Sequence, residues 1–423
     1  MSGSLVADLG IGPEIWLFLS LLGCLTLYFK FSRVWSVRNL DLLLLFVLAP
    51  GLMSLVANRA TEGQSLLPFV LLFLGSAFWL IRCFVDLALS RRPLLEPNLN
   101  AAGLACLSVG ILGLLMAETV SLTVYEGVAR NPADPGGNVG QTSATENNHI
   151  PTVSDARVKE VINIAPLPST LKSNPPRVIL SRVLASLAHL GLVMALIAVG
   201  TWHFDRAMTG LAMATCYLIL PYTRIALVDT GQLVPATLLV TAVAFYNRPA
   251  LAGALLGLSA GIMPACLGLL VLWLGFYRRH GGIRFAASGL TVLLICAGLG
   301  LAFPDLSQFA RDLGARSLSD VGFWPGVDAP STRSLWRGID VSYRLPVLIG
   351  YLALVIVTTI WPMEKNLGEL IALSAALLVA SQFWYLAEGG TLVLLYLPLV
   401  ILMMFRPNLS TKRAIREPAP SVR

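Results

Sequence analysis

The chain has 423 residues, of which 56% are hydrophobic and 13% are charged, and its formal net charge is +7. A mean hydropathy of +0.76 exceeds what the core of a soluble domain uses, so the composition predicts an α-helical protein that crosses a membrane many times. The apolar runs do not alternate with polar residues, which excludes an outer-membrane barrel. Nucleic acid is not an expected partner, because the arginines cluster at the ends of apolar runs, where they face anionic lipid.

The first apolar run, Ile15 to Phe29, has no small-residue cleavage site after it, and it is predicted to be a membrane anchor. All six cysteines lie inside apolar runs and form no CxxC pair. Disulfide bonds and metal sites are therefore not expected, and no cofactor is predicted.

Basic residues at the ends of the apolar runs predict the topology. Lys30, Arg33 and Arg38 follow the first run, so the positive-inside rule places the N-terminus outside the cytoplasmic (inner) membrane. Alternation along the chain places the basic tail 406–423 in the cytoplasm. The fold class predicted is an all-α, polytopic transmembrane bundle of about 11–13 spans. The predicted spans are 13–31, 40–57, 65–89, 99–117, 178–201, 208–221, 232–246, 251–277, 283–303, 345–361, 367–387 and 391–405.

Two long polar segments, Glu118 to Arg177 and Pro304 to Arg344, are predicted to be loops on the outer side. The first contains NPADPGGNVGQTSATENN, which cannot bury a core. Within it, Ser154 to Ile164 has helical spacing and is predicted to lie on the outer surface as an amphipathic helix. The predicted divisions are a three-span region 1–98, a membrane core 99–303, an outer loop 304–344, C-terminal spans 345–405 and the tail 406–423.

The apolar run from Leu251 to Tyr277 is predicted to be a bent hairpin. Arg248 before it and Arg278 and Arg279 after it all favour the cytoplasm. One straight helix would place the arginine pair outside. Two half-spans that bend near Gly261 to Pro264 place Arg248 and the arginine pair on the same side. Broken helices are tolerated at membrane depth where protein or a cavity provides hydrogen-bond partners for the freed backbone groups.

Three of the polar residues inside predicted spans, Arg82, Asp86 and His189, raise the question of a function within the membrane. Arg82 and Asp86 lie four positions apart on one helix face, which fits either a pair that snorkels near the cytoplasmic end or a proton relay. His189 is expected to be an interhelical residue whose hydrogen bonds are satisfied within the protein.

A resemblance is carried by the stretch from Leu220 to Arg279. Its matching residues are Gly231-Gln232, Ala252-Gly253, Leu256-Gly257-Leu258, Pro264 and Arg278-Arg279. In this order they resemble the hydrophobic core of glycosyltransferase family 87, polyprenyl-phosphate-sugar-dependent enzymes of the GT-C superfamily. Two positions depart from the family pattern: Met263 stands in place of its lysine, and Val234 in place of its asparagine.

The resemblance implies a GT-C-like bundle with a catalytic carboxylate in the first large outer loop. The candidates for this general base are Glu118, Glu126 and Asp134, and Glu118 is favoured because it lies at the exit of a span.

The resemblance also implies groups that hold the phosphate of a lipid-linked donor. The candidates for donor binding are Arg224, Asp229, Gly231, Gln232, Arg177 and Arg344. Arginine suits phosphate through its forked donors, and it equally suits the headgroups of ordinary phospholipids. Asp229 also fits a helix cap, and Gln232 also fits a tie between neighbouring helices.

Three functions follow as expectations. The first is a membrane glycosyltransferase that moves a sugar from a polyprenyl-phosphate donor to a glycan or lipid acceptor on the non-cytoplasmic face. The second is a non-catalytic relative that binds membrane lipid or a partner. The third is a small-molecule transporter, which the scarcity of mid-span charges and the lack of a whole-chain repeat disfavour.

Overall fold

The computed structural model describes residues 13–57, 66–89, 95–121, 175–316, 336, 341–385 and 389–409. All regular secondary structure among these residues is helical, which confirms the all-α prediction. Five helical stretches are long and apolar enough to cross a membrane, and several further apolar helices are shorter. These helices indicate a membrane protein. The long ones are Val37–Leu55, Leu67–Ala88, Ala101–Thr119, Ile179–Trp202 and Gly282–Ala302.

The α-helices are α1 (Pro13–Tyr28), α2 (Val37–Leu44), α3 (Ala49–Ala57), α4 (Leu67–Ala88), α5 (Ala101–Ser121), α6 (Pro175–Trp202), α7 (Ala207–Ile219), α8 (Pro221–Ile225), α9 (Thr230–Ala244), α10 (Pro249–Ile262), α11 (Leu267–Tyr277), α12 (Gly282–Ala302), α13 (Pro304–Asp312), α14 (Arg344–Ile360), α15 (Leu367–Ser381) and α16 (Val393–Phe405). Short 3₁₀ segments occur at Phe31–Arg33, Pro264–Cys266 and Val341–Tyr343.

Prolines explain two differences from the predicted elements. The predicted span 208–221 ends earlier, at Ile219, because Pro221 forces Leu220 into an extended conformation and begins the separate short helix α8. The segment 304–344 was predicted to be a polar loop, yet Pro304 begins the helix α13. The predicted helix Ser154–Ile164 lies outside the described residues.

Successive helices run between two ends of one bundle. At one end, His203 Nε2 hydrogen-bonds the Ala244 carbonyl at 2.7 Å, and the Tyr277 hydroxyl donates to the Tyr246 carbonyl. These contacts bring together the ends of α6, α9 and α11. Because Arg406 also lies there, we call this the Arg406 end. The opposite end, where α5 finishes and α9 begins, is called the Glu118 end.

A buried chain of ion pairs closes the Arg406 end. Arg82 Nη2 donates to Asp41 at 2.6 Å and Arg82 Nη1 donates to Asp86 at 3.2 Å, while Arg406 Nη2 donates to the other oxygen of Asp86 at 2.6 Å. The predicted contact between Arg82 and Asp86 is confirmed. Arg406, the first residue of the predicted tail 406–423, is itself buried, because Asp86 is 1% exposed and holds this arginine as a second cation. Gly368 in α15 leaves the space that the Arg406 guanidinium fills.

The hairpin is confirmed in its bend, and its two ends lie at the same end of the bundle. Met263 adopts φ −132° and ψ 103°, which ends α10 before the Pro264–Cys266 turn and α11. Gly281 after α11 packs against Pro249 at the start of α10, so both ends of the hairpin lie at the Arg406 end.

A row of glycines allows the hairpin to pack closely on α12. Gly253, Gly257 and Gly261 lie one turn apart along α10, and their Cα atoms face Phe285, Gly289 and Cys296 on α12. A Cβ added at Gly261 would lie 2.9 Å from the Cβ of Cys296. Small residues at this spacing let membrane helices approach closely.

At the Glu118 end, the inner helices α7 and α9 do not extend as far as the neighbouring helices α1, α5 and α6. The hydroxyls of Ser108 and Thr215 hydrogen-bond at 2.6 Å, so the end of α7 at Ile219 is level with the middle of α5. Counting 1.5 Å per residue, α5 continues about 13 Å beyond that level.

Two other pairs of helices also differ in height at the Glu118 end. Thr237 donates to the Ala188 carbonyl at 2.9 Å, so α6 begins about 9 Å beyond the start of α9. Gly23 faces Ile219, so α1 begins about 15 Å beyond the end of α7. At the Glu118 end, α1, α5 and α6 therefore extend beyond the ends of α7 and α9. The region between these extensions, which holds residues 220–229, is called the recess, with α1, α5 and α6 as its rim.

We expect the variant Arg406→Gln to lose about 3–5 kcal/mol of stability, because it leaves the buried Asp86 short of a cation. Thermal unfolding in detergent measures this, and the double variant Asp86→Asn/Arg406→Gln should recover part of the loss. The control is Arg279→Gln, whose ion pair with Glu364 has side chains 61% and 48% exposed and should contribute below about 1 kcal/mol. Equal losses in Arg406→Gln and Arg279→Gln would contradict a stabilising role for the buried chain of ion pairs.

Candidate functional site

The recess contains an ion pair between two residues that the sequence singled out separately. Arg224 Nε lies 3.0 Å from Glu118 Oε1 and 3.1 Å from Oε2, and Nη2 lies 2.9 Å from Oε1. The predicted general base and a predicted phosphate ligand, 106 positions apart in the chain, are therefore in contact. The Arg224 side chain is 10% exposed and the Glu118 side chain is 16% exposed.

Three elements position this pair. Glu118 is in the last turn of α5, where the helix dipole disfavours a carboxylate and Arg224 offsets the cost. Arg224 is in α8, whose start is set by Pro221. Trp16 in the first turns of α1 lies against the guanidinium, with 4.9 Å from Arg224 Cζ to the ring centroid. A cation on an aromatic face gains electrostatic attraction, so Trp16 holds Arg224 toward Glu118.

Asp229 and Gln232 form a local cap that also joins two helices. The Asp229 side chain accepts the Gln232 backbone N–H at 3.2 Å, and Gln232 Nε2 donates to Asp229 Oδ2 at 2.7 Å. This confirms that Asp229 caps α9. Gln232 Oε1 accepts the N–H of Leu394 in the first turn of α16 at 3.2 Å, which confirms that Gln232 ties neighbouring helices.

A second glutamine completes the start of α16. The residue before this helix, Leu392, has no side chain that could cap it. Gln382 Oε1 accepts the backbone N–H groups of Gly390 at 3.0 Å and Leu392 at 3.1 Å. Because the first N–H groups of a helix have no partner within it, Gln232 and Gln382 supply the acceptors that α16 lacks. Gln382 was not among the predicted site residues, although its lone amide inside an apolar run was the available signal.

Gly231 is required for a close approach of two backbones. A Cβ on Gly231 would collide with the carbonyl of Gly314, which itself has φ +91°. The neighbouring Thr230 hydroxyl donates to the Leu313 carbonyl, and the Arg316 N–H donates to the Ile262 carbonyl at 2.8 Å. Residues 313–316 therefore lie over the start of α9 and the bend of the hairpin.

The other predicted site residues do not join the ion pair among the described contacts. Arg344 begins α14, is 6% exposed, and donates to the Trp384 carbonyl at 3.0 Å. Arg177 lies in the first turn of α6, and its side chain is outside the description. Glu126 and Asp134 lie outside the described residues.

The remaining ionisable candidates have structural partners. His189 bonds the Leu227 carbonyl at 3.0 Å and the Tyr217 hydroxyl at 2.8 Å, which confirms its interhelical role. Within the described ranges, no group of three or more His, Cys, Asp or Glu residues could hold a metal ion.

Comparison with models of known protein families finds no match, and comparisons with curated proteins and with solved structures find none either. The described fold and site define an all-α membrane protein with a half-enclosed arginine–glutamate pair at one end. The resemblance to glycosyltransferase family 87 therefore stays a prediction.

We expect Gln232→Leu to destabilise the protein by about 1–3 kcal/mol, because the buried Leu394 N–H loses its acceptor. The matched control is Gln308→Leu on α13, where residue 308 is exposed. Thermal unfolding of both variants measures the difference. An unchanged stability in Gln232→Leu would show that the Gln232 amide does not support α16.

Proposed function

We propose that the chain is a GT-C type membrane glycosyltransferase, which moves a sugar from a polyprenyl-phosphate donor to a glycan or lipid acceptor. The observation that carries the proposal is the contact between Glu118 and Arg224. The reaction needs a base for the acceptor hydroxyl and a cation for the leaving phosphate close to each other. Glu118 and Arg224 could serve these two roles because they are in contact.

The structure of the recess favours a substrate that is anchored in lipid. Its floor consists of helix ends and irregular backbone below the level of the rim helices, and such backbone at membrane depth requires protein or a water-filled cavity around it. A polyprenyl chain can remain between the rim helices and the bilayer while its phosphate reaches Arg224.

The proposed orientation places the Glu118 end outside the cytoplasmic membrane. Lys30, Arg248, Arg278 and Arg279 lie at the opposite, Arg406 end, and short loops rich in arginine and lysine favour the cytoplasm. The C-terminus then lies in the cytoplasm and the N-terminus outside.

Cysteine labelling of intact cells tests this orientation. A membrane-impermeant maleimide is expected to label Ser143→Cys and Ser331→Cys, and to label Ser32→Cys only after the cells are permeabilised. The parent protein reports the background of the native cysteines. Labelling of Ser32→Cys in intact cells would reverse the orientation.

The proposed reaction begins with an exchange of ion pairs. The donor phosphate replaces Glu118 on Arg224, because an arginine binds carboxylate and phosphate with the same forked donors. The freed carboxylate takes the proton of the acceptor hydroxyl, whose oxygen bonds to the anomeric carbon. The bond from that carbon to the phosphate oxygen breaks, and polyprenyl phosphate leaves with its charge held by Arg224.

We expect Glu118→Gln to lower sugar transfer by about 10²–10⁴-fold, the contribution of a positioned base. The same variant should bind polyprenyl phosphate at least as tightly as the parent, because Arg224 loses its competing carboxylate. Arg224→Gln should weaken that binding. Transfer is measured in proteoliposomes with a panel of labelled polyprenyl-phosphate sugars, and binding by the thermal shift that undecaprenyl phosphate causes.

Unchanged transfer in Glu118→Gln would remove Glu118 as the base. Weaker phosphate binding in that variant would contradict the exchange of ion pairs.

A second candidate is a non-catalytic protein that binds lipid or a partner. The observation in its favour is that Asp229, Gly231 and Gln232 all serve packing or capping. Met263, in place of the family lysine, is fully buried. For such a protein, Glu118→Gln and Arg224→Gln would change stability and lipid binding while no donor in the panel is turned over. The described residues add no observation that favours the transporter.

A further inference from the structure

We infer that α1 supplies two further ligands to the phosphate held at Arg224, namely the indole N–H of Trp16 and the hydroxyl of Ser20. The inference rests on the proposed function in placing a lipid phosphate at this site. It adds that the first helix is part of the binding site, which neither its apolar sequence nor the resemblance indicates.

Trp16 has an indole N–H that makes no hydrogen bond within the described part of the fold. Its ring contacts the Arg224 guanidinium, while its buried Nε1 has no hydrogen-bond partner among the described residues. Buried N–H groups are nearly always hydrogen-bonded, because an unmade bond costs free energy. A ligand oxygen beside Arg224 could accept a hydrogen bond from this N–H.

Ser20 presents a second such group one helical turn further on. It is 2% exposed, and its hydroxyl has no hydrogen-bond partner among the described residues. A serine inside a helix usually bonds the carbonyl of the preceding turn, and Ser20 does not. Residues four apart lie on one helix face, and the next turn, at Gly23, packs on Ile219. The face from Trp16 through Ser20 therefore lies against the end of α7 and against α8, which carries Arg224.

Together these groups suit one ligand chemistry. A guanidinium, an indole N–H and a hydroxyl can all donate, and the acid beside them, Glu118, is the group that the ligand would displace. A phosphate monoester carries the negative charge and the several acceptor oxygens that this set requires. Phe18 and Leu22 on α1 are 62% and 47% exposed, so the site adjoins a lipid-facing surface, and a lipid phosphate fits better than free phosphate.

The test compares phosphate binding in Trp16→Phe and Ser20→Ala with the parent. Trp16→Phe keeps an aromatic ring under Arg224 and removes only the N–H. Each variant is expected to bind undecaprenyl phosphate about tenfold more weakly, the effect of losing one hydrogen bond to a charged group. Affinities come from thermal shifts in lipid nanodiscs, with undecaprenol as the probe that lacks phosphate.

Two controls separate this site from general damage. Ser259→Ala removes the hydroxyl that donates to the Pro235 carbonyl in α9, and Trp273→Phe removes an indole N–H that donates to Ser374 in α15. Both controls should change stability without changing affinity for undecaprenyl phosphate. Affinities unchanged in Trp16→Phe and Ser20→Ala, or lowered equally in all four variants, would overturn the inference.

Phosphatidic acid and inorganic phosphate distinguish the source of the phosphate. Tighter binding of undecaprenyl phosphate than of either supports a polyprenyl ligand. If phosphatidic acid binds as well and shows the same losses in Trp16→Phe and Ser20→Ala, the α1 ligands are supported and the proposed polyprenyl donor is not. If sugar transfer is observed while both variants keep the parent affinity, the proposed function stands and the α1 ligands are rejected. Binding of inorganic phosphate alone would overturn the assignment to a lipid.

Discussion

The fold depends on satisfying backbone groups at helix ends that lie inside an apolar bundle. The inner helices α7, α9 and α16 end or begin below the rim of the Glu118 end, where each unpaired N–H or C=O would cost free energy. Gln232 and Gln382 supply acceptors to the start of α16, and residues 313–316 bond to α9 and to the hairpin. These side chains and segments satisfy the backbone groups that further helical turns would otherwise satisfy, so the inner helices can stop short and leave the recess.

The two ends of the bundle use buried charge differently. At the Arg406 end, Asp41, Arg82, Asp86 and Arg406 form a chain with equal numbers of acids and bases, and Asp86 binds both arginines. A buried arrangement in which each of these acids is paired with an arginine favours a structural clamp over a proton relay. At the Glu118 end, the ion pair of Glu118 with Arg224 is partly exposed and adjoins the Trp16 N–H, a donor without a partner in the described part of the chain. That asymmetry is the reason why the proposed chemistry is assigned to the Glu118 end.

The residues that carry the family resemblance have roles in packing. Gly253 and Gly257 bring α10 against α12, and Gly231 admits the backbone of Gly314. A membrane bundle requires small residues at such contacts whatever its activity. The proposed function therefore depends on Glu118 and Arg224, which lie outside the matched glycine motifs.

The sequence by itself determined the positions of the long apolar helices, the bend of the hairpin, the cap at Asp229 and the pairing of Arg82 with Asp86. Each of these depends on hydropathy, proline or contacts within a few positions along the chain. Tertiary structure decided that Glu118 meets Arg224 across 106 positions and that Asp86 meets Arg406 across 320. It also decided that Gln232 serves α16. Such contacts depend on which helices are neighbours and on their relative heights, and the local periodicity of an apolar helix contains neither.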